Sequence, residues 1–213
     1  MEFNQITKNI ANLEKLELTS THSHQKMTPK ERQLALENIN LDKTAYREAA
    51  VLMLLYPKDH QAHLVLMVRS KYPGVHSNQI SLPGGKKESF DTDLRQTALR
   101  ETFEEVGIPS ENIQLIRAFS EVYVPPSNFM IHPFLGISTQ PLTFTPDVRE
   151  VQTIIEMPLA VLLDDSNISS QNLSTSYAKM AQVPYFKYQD YVIWGATAMI
   201  LSELKDMLLK LEN

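Results

Sequence analysis

A pair of adjacent glycines, followed by a helical pattern that carries three glutamates and ends in glycine, constrains this chain more than any other feature. The segment opens Leu82-Pro83-Gly84-Gly85-Lys86-Lys87-Glu88-Ser89-Phe90-Asp91 and closes Arg100-Glu101-Thr102-Phe103-Glu104-Glu105-Val106-Gly107-Ile108. Only six glycines occur in the chain, and four of them (Gly74, Gly84, Gly85, Gly107) fall between positions 74 and 107. Glycine concentrated in this way points to backbone geometry that other residues adopt poorly.

The spacing predicts a helix over Thr92 to Val106, with Leu94, Ala98, Thr102 and Val106 as its buried stripe. Glu101, Glu104 and Glu105 then converge on another face within one turn. Three carboxylates near a helix C-terminus oppose the macrodipole and repel one another. Arg100 can pair with Glu104 at i+4, and a hard divalent cation with oxygen ligands would relieve the rest. A solvated acidic face is the plain alternative for any run of this kind. Gly107 supplies the residue that ends the helix.

Around this segment the chain reads as one α/β unit with mixed strands. Strands are expected over Ala49 to Tyr56 and His63 to Arg69, joined by the polar turn Pro57 to Gln61. Further β-like stretches are Ile113 to Val124, Phe129 to Ser138, Val151 to Glu156 and Tyr185 to Trp194. Helical patterns occupy Pro158 to Asp164 and Ala196 to Leu211, the latter with a stripe of Ile200, Leu204, Met207, Leu208 and Leu211. The N-terminal part, 1–45, is read as a helical extension of two short amphipathic helices. One is marked by Phe3, Ile6, Ile10, Leu13 and Leu16; the other opens at Thr28-Pro29. The connector Thr19 to Gln25, with solvated His22 and His24, and the Ser/Asn-rich segment Asp165 to Thr175 are expected to be loops.

Composition narrows the function classes. With 25 acidic and 20 basic side chains the net charge is −5, which argues against binding nucleic acid or a membrane surface electrostatically. The absence of cysteine excludes a disulfide framework, a zinc–thiolate site and a cysteine nucleophile. No apolar run approaches the ~20 residues of a membrane span, and neither end carries a recognisable address, so a cytoplasmic location is the default expectation. The sequence leaves a homodimer open as its assembly.

A chance match to Arg-Glu-x-x-Glu-Glu-x-Gly in a chain of this length is on the order of one in ten thousand. Residues 85–108 resemble the Nudix box of the Nudix hydrolases, in which a glycine, a glutamate, this arginine–glutamate core and a final glycine recur at fixed spacing. Here Asp91 stands where the box has its first glutamate, one residue further from Arg100, and Thr102 replaces a bulky aliphatic residue. Asp91 is expected to cap the helix. Upstream, Arg69-Ser70-Lys71-Tyr72-Pro73-Gly74-Val75-His76-Ser77-Asn78-Gln79-Ile80-Ser81 is similar to the signature of the coenzyme A pyrophosphatase subgroup. Met27-Thr28-Pro29 with Arg32, Pro133-Phe134 and Trp194-Gly195-Ala196-Thr197-Ala198 also resemble that subgroup.

The resemblance implies one Nudix domain over 1–213 with a Nudix-type α/β/α sandwich and a mixed β-sheet. It implies Mg²⁺ or Mn²⁺ held by Glu101, Glu104, Glu105 and the Gly84 carbonyl, with Arg100 bracing the glutamates. Glu101, Glu150 or, less directly, Glu121 would serve as general base; Arg69, Lys71, His76, Lys86 and Lys87 are candidates for holding phosphate. The implied reaction splits the diphosphate of coenzyme A or an acyl-CoA into 4′-phosphopantetheine and adenosine 3′,5′-bisphosphate. ADP-ribose, dinucleotides or nucleoside triphosphates are alternative substrates, and a non-catalytic nucleotide-binding module is the alternative of another class.

Overall fold

Two long apolar strands set the frame: β1 (Arg47–Lys58) and β2 (Gln61–Arg69). They form the expected hairpin, turning at Asp59 and His60, both with positive φ (50° and 64°). Two left-handed central residues match the twist of antiparallel strands. The computed structural model describes residues 1–37, 39, 45–70, 79–175 and 178–211.

From the turn, β1 and β2 pair from Lys58↔Gln61 back to Leu55↔Leu64, and then part. The segment after the second strand wedges into the fork. Its first piece, β3 (Ile80–Ser81), pairs with β2 at Met67 and Val68. Its second, β4 (Gly84–Lys86), pairs with β1 at Ala49, Ala50 and Val51. On its other edge β1 runs parallel to β7 (Phe129–Ile137), from Arg47↔Phe129 to Leu55↔Ile137. β7 in turn carries β5 (Gln114–Ala118) and β6 (Val122–Val124), into which the single β-like stretch of Ile113 to Val124 divides. β8 (Val151–Pro158) pairs antiparallel with the outer edge of β2.

Alternation along β1 sorts its side chains to two cores. Ala50, Leu52, Leu54 and Tyr56 pack under α5 (Leu94–Val106) with Ala98 and Val106. Met53 and Leu55 face the opposite layer, with Leu201, Leu204 and Leu208 of α7 (Gly195–Leu209) and Leu159 and Leu162 of α6 (Leu159–Leu163). Both faces of the mixed sheet are thus covered by helices, as an α/β/α sandwich requires. Among the described residues no helix is long and apolar enough to cross a membrane.

Three local expectations are corrected. The first amphipathic stretch breaks at Asn9 into α1 (Phe3–Lys8) and α2 (Ile10–Lys15). The connector expected as a loop is a helix, α3 (Ser20–Lys26), ahead of α4 (Lys30–Glu37). It is held by tertiary bonds: Ser202 Oγ donates to the Ser23 carbonyl at 2.8 Å, and Lys26 binds Asp206 at 2.8 Å. His24, expected to be solvated, is 8% exposed and lies 3.5 Å from Glu203. The segment Asp165 to Thr175 contains β9 (Ile168–Leu173), not a loop. It joins a second sheet with β10 (Ala181–Tyr188) and β11 (Tyr191–Ile193), from Ile168↔Phe186 to Leu173↔Ala181. β9 lacks apolar alternation and is largely exposed, so backbone pairing, not side-chain burial, makes it a strand.

Candidate metal and diphosphate site

α5 is fixed at both ends. Asp93, not Asp91, caps it, accepting from the Gln96 N–H at 2.8 Å; Gly107 closes it in the left-handed conformation, with its N–H donating to the Phe103 carbonyl. Ala98, Thr102 and Val106 turn inward, which aims Glu101 and Glu105 at the wedge strand β4.

Glu105 is 1% exposed. One carboxylate oxygen accepts the Gly84 N–H at 2.8 Å, and the other lies 3.3 Å from Arg69 Nη1. Gly84 has φ +148°, and a side chain there would collide with the Ala50 carbonyl oxygen at 2.3 Å. Only glycine brings this amide to the carboxylate. At Gly85 a Cβ would stand 2.4 Å from Glu101 Oε2, so the missing side chain is the cradle in which the second carboxylate rests.

Electrostatics separate the two from ordinary surface acids. Burial pushes the Glu105 carboxyl up to about 8; the Gly84 amide and Arg69 oppose this, while the charges of Glu101 and Glu150 add to it. Burial also raises Glu101, with Glu104 and Glu150 adding and Arg100 opposing. Glu150 is exposed, and its backbone carbonyl accepts from the Ser70 N–H at 2.8 Å, tying its loop to the end of β2.

Arg100 gathers the remaining acids. Its Nη1 donates to Glu101 at 2.7 Å and to Glu104 at 2.8 Å, and Nη2 reaches the Lys86 carbonyl at 3.1 Å. Asp91 holds the same guanidinium in a fork, with Nε and Nη2 each at 2.9 Å. Asp91 is 6% exposed and also accepts from the Glu88 N–H and Thr97 Oγ1, both at 2.9 Å. The Arg100 bonds hold its carboxyl far below the usual range. Asp91 is therefore a brace for Arg100, which corrects its expected role as a cap. Its spacing from Arg100 was visible in the chain, but nothing local marked it as buried.

Of the phosphate candidates, Arg69 sits at Glu105 and Lys86 is half exposed, 3.4 Å from Glu88. Lys87 lies 3.6 Å from Glu48. Lys71 and His76 lie outside the described residues. Glu121 does not join the glutamates of α5: it pairs with His132 at 3.2 Å.

Among the described residues no three acidic or imidazole side chains are already arranged to enclose an ion. Glu104 is turned outward onto Arg100, and Glu105 onto Gly84. The donor set nevertheless fits a hard divalent cation. Glu101 rests in a cradle cut for it, and Glu105 is a buried carboxyl short of positive charge, facing two like charges.

A cavity of about 580 Å³ opens on the other side of Gly84 and Gly85. Ala49, Val51 and Ile131 line it from the sheet, and Pro29, Arg32 and the run Trp194 to Thr197 from the helical layer. Pro29 and Arg32, Arg69, Gln79 to Ser81, and Trp194 to Thr197 thus meet at one place, whereas Phe134 packs in the core under α5.

Residues 46–175 match the family model of the NUDIX domain. The chain is 35% identical over 162 residues to "Nudix hydrolase 22, chloroplastic" of Arabidopsis thaliana, covering 73% of this chain and 53% of that protein. It therefore spans about half the length of that plant relative. It is 28% identical over 172 residues to "Peroxisomal coenzyme A diphosphatase ndx-8" of Caenorhabditis elegans, covering 79% and 72% of the two chains. In fold it is similar to the crystal structure of RenU, a Nudix hydrolase from M. Smegmatis (TM-score 0.54, 18% identity, 78% of this chain and 87% of the other).

Proposed function

The chain belongs to the Nudix family, and on that premise we propose that it is a divalent-metal-dependent diphosphohydrolase that cleaves coenzyme A or a short acyl-CoA. One observation carries the reading. Glu101 and Glu105 converge on Gly84 and Gly85, and the same two glycines line a cavity large enough for a nucleotide-sized ligand. The relative in Caenorhabditis elegans supports coenzyme A as substrate.

In this reading Glu101 and Glu105 hold Mg²⁺ or Mn²⁺, with Glu104 and the Gly84 carbonyl as further ligands. The bound ion supplies charge neutralisation at the diphosphate and a lowered pKa for the attacking water. Arg100 positions Glu101 and Glu104, and Asp91 positions Arg100. Glu150 accepts the proton of the attacking water; its charge is already felt by both glutamates. Arg69 and Lys86, beside the glycines, orient the diphosphate oxygens, with Lys71 and His76 proposed for the same task. The products are 4′-phosphopantetheine and adenosine 3′,5′-bisphosphate.

Chromatographic product analysis with coenzyme A, ADP-ribose and NADH, each with Mg²⁺ and with Mn²⁺, tests this beside a Glu105→Gln control. Metal-dependent release of adenosine 3′,5′-bisphosphate, absent from the control, is expected. Preferential turnover of ADP-ribose or NADH would keep the diphosphatase chemistry and sink the coenzyme A assignment.

A further inference from the structure

The cavity beside Gly84 and Gly85 has an unusual charge inventory for a protein of net charge −5. Arg32, Arg69 and Lys86 line it, and no aspartate or glutamate does among the described residues. Its remaining lining is mainly apolar or aromatic, including Val51, Ile131, Phe129 and Trp194. A ligand complementary to these surfaces is anionic with an apolar or aromatic body.

The three cations come from different elements. Arg69 ends β2 and Lys86 lies on β4, both beside the glycines that receive Glu101 and Glu105. Their place is at the scissile diphosphate. Arg32 comes from α4, in the helical layer, and lines the cavity together with Val124 and Pro126. It is 5% exposed, and its Nη2 donates to the Tyr123 carbonyl at 2.7 Å, which fixes the direction of the guanidinium. It enters the cavity from α4 beside the Tyr123 carbonyl, whereas Arg69 and Lys86 enter from the strands at Gly84 and Gly85, which suits it to a phosphate that is not the one being cleaved.

We infer that Arg32 binds a second phosphate of the substrate, outside the scissile diphosphate, and thereby selects 3′-phosphorylated adenine nucleotides. This rests on the coenzyme A reading, since coenzyme A carries such a phosphate and ADP-ribose and NADH do not. Arg32 is a specificity residue here, with Phe129 and Trp194 supplying aromatic surface for the nucleotide body.

The test pairs ligands that differ only in that group. Calorimetry compares adenosine 3′,5′-bisphosphate with adenosine 5′-monophosphate, and turnover compares coenzyme A with dephospho-coenzyme A. The wild-type chain is expected to prefer the 3′-phosphorylated member roughly ten- to hundredfold, the range of a charge-assisted hydrogen bond. The preference should shrink in Arg32→Lys, which keeps the charge but loses the fork, and fall further in Arg32→Gln. Thermal melts show which variants are folded. Equal binding of the two nucleotides by the wild-type chain overturns the inference with no variant needed, as does an undiminished preference in either folded variant. Preference in binding without cleavage of coenzyme A sinks the proposed function and leaves Arg32 in its role. Cleavage of both coenzymes at the same rate does the reverse.

Discussion

Two glutamates, Glu105 on α5 and Glu203 on α7, are equally hidden, at 1% and 0% exposure, yet they are pushed in opposite directions. Burial raises Glu203 too, but His24, Ser120 and Ser20 outweigh it and hold its carboxyl below the ordinary value. Its oxygens accept the Ser20 N–H at 2.6 Å, the Ser120 N–H at 3.0 Å and the Ser120 hydroxyl at 2.7 Å. Glu105 accepts one amide and a long contact from Arg69, and faces two like charges, so it is pushed from 4.5 up to about 8. A structural carboxylate is saturated with donors. A carboxylate proposed to receive a cation is left short of them, and burial alone does not tell the two apart.

The same substitution at both positions breaks the comparison most sharply. Glu105→Gln is expected to lower kcat/KM by roughly a thousandfold or more, since in the proposed function it removes a metal ligand worth several kcal/mol to the transition state. It should leave the metal-free melting temperature at pH 8 unchanged or higher, because a charge that burial disfavours is gone. Steady-state kinetics and calorimetry on one preparation read both.

Glu203→Gln should do the opposite. The amide removes the negative charge beside His24 and puts an NH₂ donor in place of one of the two oxygens that accept from Ser20 and Ser120, which is expected to cost about 3 kcal/mol of stability, with activity per folded molecule retained. Denaturant unfolding measures it, and a loss under about 0.5 kcal/mol would remove the distinction drawn here.

pH sharpens the contrast. Between 4.5 and about 8 the unfolded chain ionises Glu105 and the folded chain does not. The contribution of this group is therefore complete below pH 4.5 and lost as pH rises through about 8. Metal-free protein should lose roughly 3 kcal/mol from this group between pH 5 and 8. Mg²⁺ should reverse the loss, and Glu105→Gln should flatten the slope. The lowered carboxyl of Glu203 contributes above its ordinary value and is lost as pH falls through its folded value, so its signature lies in the acid range.

Asp91→Asn is the mildest test. Arg100 would lose one of its three counter-charges, and the expected result is about a tenfold fall in activity with more metal needed for half-maximal rate. Unchanged metal dependence would leave Asp91 a purely structural anchor.

What could be read in advance follows from the same physics. The hairpin of β1 and β2 was legible because long apolar runs rich in leucine, methionine and valine flank a polar turn. The glutamates were legible because spacing along one helix is a local property. α3 was not: its sequence, STHSHQK, has poor helix propensity and is folded by Glu203 and Asp206, far away in the chain. β9 was missed because ISSQNL carries no alternation and depends on pairing with β10. The burial of Asp91 leaves no local trace in the sequence, and the cap itself is the neighbouring Asp93. The cavity was assembled from Arg32, Gly84 and Trp194, which no window of the sequence brings together.

The bond from Ser20 to Glu203 spans 183 positions, and that span has a consequence for biosynthesis. At the ordinary pace of translation, roughly 5–20 residues per second, Ser20 leaves the ribosome about 10–40 s before Glu203 does. During that interval Ser20–Lys26 has weak helical propensity of its own and no Glu203 or Asp206 to fold against. The helical layer around it is thus a late event, completed only when α7 emerges, while the β1–β2 hairpin is free to form long before.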